Sequence, residues 1–403
     1  MLLKRIVFGL ALSAACLTCV ASAQTNESAS AMPLIAPERV GLDSAKLRQI
    51  KEKMADYVAK KQLAGAVTLI GYRGQIVELD AVGDAVLEPQ RPMRMDSLFA
   101  IASMTKPITG AALMILVDEG KVSLDDPVAK YLPEFKDVKF ANGDKPKREI
   151  TLRDLVTHTS GVIGDQNTMG TLRETGKKLA ERPLGFQPGE KFQYSPGMSV
   201  AGAVIEVVAD MPYEKFLGER LFQPLDMVDT TFHPTTQQQA RLAQVYGPNK
   251  DKSGLEPVNS WIAEVSPTRT PNPSGGLFST ATDIAHFYQM LLNQGEFGDK
   301  RIMSQKAVKE FSTIHTGDLP TAFTPGNGWG VGCCIVRDPQ GPTSALSSGT
   351  FGHGGAFGTQ SWADPTKQMI FILMIQRSGL PNGDASEMRQ DLQRLAVESL
   401  PKK

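Results

Sequence analysis

The sequence predicts an α+β protein: one antiparallel sheet built from both chain ends, with flanking helices and a mainly helical insertion. Three observations carry this. β-rich runs gather early, at 66–72 and 75–82. They return late, at 331–336, 359–363 and 369–375. Between them, from roughly 105 to 265, the chain holds helical segments and long loops. Strands at both ends with helices between them join most simply as one sheet whose halves are separated by an insertion. In residue terms the sheet domain takes 24–100 and 270–403, and the helical domain takes 101–269.

Each element has a local reason. Residues 1–23 read as a secretory signal, with Lys4 and Arg5, a short apolar run, then Ala21-Ser22-Ala23 as a cleavage site. The run is too short to span a membrane. Neither Cys16 nor Cys19 has a leucine three residues before it, so no lipid anchor is expected. The protein is expected to be exported, periplasmic or secreted. A helix begins near Asp43 or Ser44, with Leu47, Ile50, Met54 and Val58 spaced for one apolar face. Arg73-Gly74 separates the first two strands and reads as a hairpin turn. An apolar helix follows Ser103 and stops at Gly120; a short helix at 150–157 is capped by Thr151. Helices are also expected at 199–209 and 213–221. Thr280 and Asp283 resemble a capping box for a helix at 281–293 that Gly295 closes. The last helix, 384–397, has Met388, Leu392 and Leu395 on its inner face.

Composition narrows the function. Lys plus Arg and Asp plus Glu number 43 each, with no long basic run. Nucleic acid and anionic membrane are therefore poor partners. After the leader only Cys333 and Cys334 remain. Adjacent strand residues point to opposite faces, so a disulfide between them is not expected. The five histidines lack H-x-x-x-H or H-x-H spacing, and no G-x-S-x-G or phosphate-binding glycine loop occurs. No metal or cofactor is called for.

The chemistry centres on Ser103-Met104-Thr105-Lys106. Residues three apart on a helix share a face, so the amine can reach the hydroxyl, as a nucleophile with its own base requires. The same pattern at Ser399-Leu400-Pro401-Lys402 carries no such meaning, and alone Ser103 reads as an N-cap and Lys106 as a solvated first-turn residue. Tyr194 lies in a loop before a helix, where a packing role is the ordinary one. His353, in Gly352-His353-Gly354-Gly355-Ala356, precedes a strand, and the glycines permit close approach of a substrate to the backbone. His158 is read as a structural loop residue rather than a base for Ser160.

Taken together the segments 101–132, 150–161, Tyr194-Ser195, 224–227, 274–283 and 352–355 resemble the serine β-lactamase and penicillin-binding-protein superfamily. The likeness is greatest to class C β-lactamases and family VIII carboxylesterases. It implies Ser103 as nucleophile, with Lys106 and Tyr194 sharing general base and acid work. It also implies an oxyanion hole from the backbone N–H groups of Ser103 and Ala356, with His353, Gly354 and Gly355 as the third substrate-binding motif. Two departures stand out. Pro196 replaces an asparagine whose side chain binds the substrate amide, and proline offers no such donor. His353 replaces a lysine that helps bind the β-lactam carboxylate, and a neutral imidazole is a weaker anion partner. The implied activity is an esterase-like serine hydrolase acting on small ester or amide substrates through an acyl-enzyme. A β-lactamase or D-amino-acid peptidase, an acyltransferase, and a catalytically silent binding protein stay open, as does the oligomeric state.

Overall fold

The computed structural model describes residues 32–164, 170–321 and 324–401. The expected leader lies outside the described residues. Its central feature is an eight-stranded antiparallel sheet. The strands are β1 (Gly65–Tyr72), β2 (Gln75–Val86), β3 (Arg91–Pro92), β4 (Asn327–Trp329), β5 (Cys334–Val336), β6 (Phe351–Gly354), β7 (Gln360–Asp364) and β8 (Met369–Met374). They lie in the order β4-β5-β6-β7-β8-β1-β2-β3, so β8 beside β1 joins the two halves of the chain. The β1–β2 turn is Arg73-Gly74, both with positive φ (49° and 82°), as a two-residue hairpin with the sheet's twist demands.

Every residue of β1 is buried, because the sheet is covered on both faces. Ala66 and Ile70 face the helices α1 (Ser44–Ala59) and α5 (Glu387–Glu398), with Leu47, Ile50, Met54, Leu392 and Leu395. Val67 and Leu69 join the opposite core, with Ile370, Ile372 and Met374 of β8 and Ile284 of α4 (Ala281–Leu292). The described residues form one compact unit. Between the two groups of strands the chain is mainly helical, with α2 (Thr105–Asp118) and α3 (Gly197–Ala209) at its centre. All residues of α2 from Thr105 to Leu116 are buried, the pattern of a helix enclosed on every side.

Several expectations shift locally. The fourth inward residue of α1 is Tyr57, whose hydroxyl donates to Asp391 Oδ2 (2.8 Å), and Val58 is only half-buried. Of the strand expected at 331–336 only Cys334–Val336 (β5) forms; 331–333, with Gly332 at φ 72°, is the turn that joins it to β4. The helix expected at 213–221 changes after Leu217 into a π-helical turn, Gly218–Phe222. The box at Thr280 is half formed. Thr280 caps Asp283 N, but the Asp283 carboxylate is taken by Asp229 N and Thr230 Oγ1 (both 2.8 Å). The final helix starts at Glu387, capped by Ser386, and buries Arg389 and Gln393 as well as its apolar face. Cys333 and Cys334 are both free and buried.

Candidate active site

Ser103 sits in a 3-10 turn, Ala102–Met104, that runs straight into α2. It makes no capping bond, so the N-cap role that its position suggested does not hold. The turn is fixed from both sides. Upstream, Phe99–Ala100 pairs with Phe278–Ser279, and Ile101 N donates to Leu277 O (3.0 Å). Downstream, Leu277 N donates to Thr105 Oγ1 (3.2 Å), and Thr109 Oγ1 donates to Pro273 O (2.7 Å). These bonds lay the Ser274-Gly275-Gly276 segment along the start of α2. Ala102, just before Ser103, has φ 46°, a left-handed conformation that costs an alanine about 1–2 kcal/mol. Surrounding structure must hold it there.

The lysine is not a solvated residue. Lys106 is fully buried, with Nζ 3.3 Å from Ser103 Oγ and donating to Ser274 O at 2.5 Å. Burial lowers its pKa well below that of a free lysine, which favours the neutral amine. Nζ also lies 4.5 Å from the centre of the Tyr194 ring. Burial raises the Tyr194 pKa, so the phenol keeps its proton, and its hydrogen bond with Ser103 opposes that shift.

His353 lies inside β6, opposite Ser361, rather than in a loop before a strand. Its Nδ1 lies 2.6 Å from Gly354 O, which can only accept, so Nδ1 carries the proton. Nε2 is then free to accept from the Tyr194 hydroxyl, 3.4 Å away. Burial and the nearby Lys106 push the His353 pKa down to about 4, which keeps the ring neutral. Next along, Gly355 is required by close approach. A Cβ there would lie 2.6 Å from Ile101 O and 2.1 Å from Thr359 Oγ1. Gly355 N is taken by Thr359 O (2.8 Å), whereas no backbone carbonyl among the described residues takes Ala356 N.

Ser103, Tyr194, His353, Gly354, Gly355 and Ala356 thus line one cavity of about 440 Å³, together with 380–384. A larger hollow of about 680 Å³ beside Trp261 contains none of them. The arrangement provides a hydroxyl, a buried amine of lowered pKa at hydrogen-bond range, a protonated phenol and, among the described residues, an N–H that no backbone carbonyl takes.

His158 plays the structural loop role expected of it. It does not bond Ser160, whose Oγ accepts from Val162 N (3.2 Å). Its Nδ1 accepts from Ser195 N (3.1 Å), and its ring lies 4.5 Å from the Tyr194 ring, so it braces that loop. Burial, Lys106 and His353 all hold it neutral. Asp384, on the cavity wall, was missed altogether; a lone aspartate near a helix start carries no signal in sequence.

A family model described as Beta-lactamase matches residues 50–396, and the matched region holds the whole site. The chain belongs to the beta-lactamase family. Esterase EstB of Burkholderia gladioli is 30% identical over 374 residues, covering 84% of this chain and 92% of that one. A Salmonella agona protein named as a candidate D-alanyl-D-alanine carboxypeptidase is 28% identical over 382 residues, 86% of each chain. Among solved structures, EstCE1, described as a hydrolase with promiscuous acyltransferase activity, superposes with a TM-score of 0.76 at 23% identity. It covers 88% of this chain and 98% of its own. That likeness speaks for the fold.

Proposed function

We propose that this beta-lactamase-fold hydrolase is an exported serine esterase working through an acyl-enzyme on Ser103. The observation that carries the reading is the buried Lys106 amine 3.3 Å from the Ser103 hydroxyl. A neutral amine at that range is a competent base for a serine nucleophile. In this reading Lys106 takes the Ser103 proton as the oxygen attacks the ester carbonyl. The N–H groups of Ser103 and Ala356 hold the oxyanion, each donor worth roughly 3 kcal/mol in comparable sites. Tyr194 hands its proton to the departing alkoxide and regains one from the Lys106 ammonium. Water then gives a proton to the neutral Lys106 as it attacks the acyl carbonyl, and that proton returns to the Ser103 oxygen as the acid departs.

Esters are favoured over β-lactams because the cavity offers neither anchor of a β-lactam substrate. Pro196 is the N-cap of α3 and has no donor, and the His353 imidazole is held neutral. The name of the Burkholderia gladioli relative agrees with an esterase. The Salmonella agona relative supports a second reading, a peptidase of D-alanyl substrates, which shares the acylation step. The leader-like sequence of residues 1–23 supports export. The test is purified protein against p-nitrophenyl esters, a chromogenic cephalosporin and a D-alanyl-D-alanine peptide, with intact-mass analysis. Ester turnover with an acyl adduct on Ser103 is expected. Faster cephalosporin or peptide turnover would move the assignment to the second reading, and no adduct with any substrate would leave a binding protein.

A further inference from the structure

Asp384 brings the one carboxyl group to the described wall of the catalytic cavity, which holds no lysine or arginine. Lys106 lies beneath Ser103 rather than on the wall, and His353 is neutral. Asp384 belongs to the short turn Gly383–Ala385 and is half-buried. Its Oδ1 accepts from Gln360 Nε2 (3.1 Å). Among the described residues no cation pairs with the carboxylate, and no donor reaches its second oxygen. The nearest guanidinium, Arg389, instead bonds the Asp384 backbone carbonyl and lies under the Trp362 ring, 4.0 Å from its centre, fully buried. The carboxylate is seated against the end of β6, because a Cβ at Gly354 would lie 1.9 Å from its Oδ1. Its charge is felt at Tyr194 and His353, which line the same cavity.

We infer that Asp384 forms a subsite for a positively charged, ammonium-bearing part of the substrate, and disfavours carboxylate-bearing ones. A ligand reaching the 380–384 wall meets a carboxylate in no direct ion pair among the described residues. The buried Arg389 guanidinium feels its charge and offsets part of it, and at the cavity face a like charge is repelled and an ammonium attracted. The inference rests on the esterase reading and names the substrate class of that site.

Two matched ester sets test it. In one the charge sits on the leaving group: acetylthiocholine, S-(3,3-dimethylbutyl) thioacetate and S-(2-carboxyethyl) thioacetate. In the other it sits on the acyl chain: phenyl esters of 4-trimethylammoniobutyrate, 5,5-dimethylhexanoate and glutarate. In at least one set kcat/KM for the cationic ester should exceed that for the anionic one by roughly tenfold, falling as salt is added. Asp384→Asn should cut that ratio by about fivefold. A ratio near one in both sets, or a ratio that Asp384→Asn leaves unchanged, overturns the subsite while the esterase stands. Absence of Ser103-dependent turnover of the neutral esters overturns the esterase and the subsite together.

Discussion

The Lys106 amine lies 3.3 Å from the Ser103 hydroxyl, and none of the lysine side chain reaches solvent. A serine that merely started a helix would not need a desolvated amine beside it. Replacing Ser103 by Ala removes the nucleophile and leaves the bonds that fix the turn, which involve Ile101, Thr105 and Leu277. Ester kcat should fall by at least about a thousandfold, as for other serine nucleophiles, with an unchanged fold by circular dichroism. Stopped turnover together with loss of the acyl adduct by mass spectrometry is the expected pair; full activity would move the nucleophile elsewhere.

Tyr194 is positioned by ring packing as well as by the bonds of its hydroxyl. Its ring lies against His158 and Trp329, and its hydroxyl is 3.4 Å from His353 Nε2. Tyr194→Phe keeps that packing and removes the proton. The rate should drop about a hundredfold to a thousandfold, within the range of positioned acid–base groups. Melting temperature should shift by only a few degrees. A drop in stability matched by a small loss of rate would instead make Tyr194 a packing residue.

What could be read beforehand follows from how local each cause is. The hairpin at Arg73-Gly74 and the helix capped by Asp43 depend on neighbours a few residues away, and both were legible. The order β8 beside β1 was legible as a class, since strands at both ends must meet. The pairing of Phe99–Ala100 with Phe278–Ser279, which seats Ser103 beside Ser274, is long-range and left no periodic trace. Lys106 looked solvated because burial of a charged residue type is the exception. Spacing alone could not show that Ser274 O would hold it. His158 and Asp384 reach the site only through folding, and their residue types carry no pattern.

Glu78 offers a check on the sheet, away from the chemistry. It is buried on β2, accepts from Thr68 Oγ1 (2.6 Å), and has a second oxygen without a partner among the described residues. Burial pushes its pKa up to about 8. The folded state therefore holds a proton that the unfolded chain releases near the ordinary carboxyl value. The stability linked to that proton is complete below the ordinary value and is lost as pH rises through about 8. Its size is on the order of a few kcal/mol. In Glu78→Gln this dependence disappears, so the melting temperature should fall less between pH 5 and pH 8 than in the parent. Parallel curves by calorimetry would mean that Glu78 is ionised in the folded protein.

The same logic applied to Lys106 gives a pH profile with a defined direction. Only the neutral amine can accept the Ser103 proton, and burial lowers the Lys106 pKa, so the neutral base persists to lower pH than for a free lysine. The value of kcat/KM should fall as pH drops through the lowered lysine pKa, with the acid limb displaced below the pKa of a free lysine. His353 protonates only near pH 4 and adds a second loss there, because a charged imidazole faces both Lys106 and Tyr194. Lys106→Arg keeps a long basic side chain whose pKa, above about 12, leaves no neutral form to act as base. Lys106→Met keeps the length and apolar packing without any base. Both variants should lose at least about a hundredfold in kcat/KM at neutral pH. If either retained the parent rate and the same acid limb, Lys106 would not be the base, and the proton would have to leave Ser103 through Tyr194 and His353.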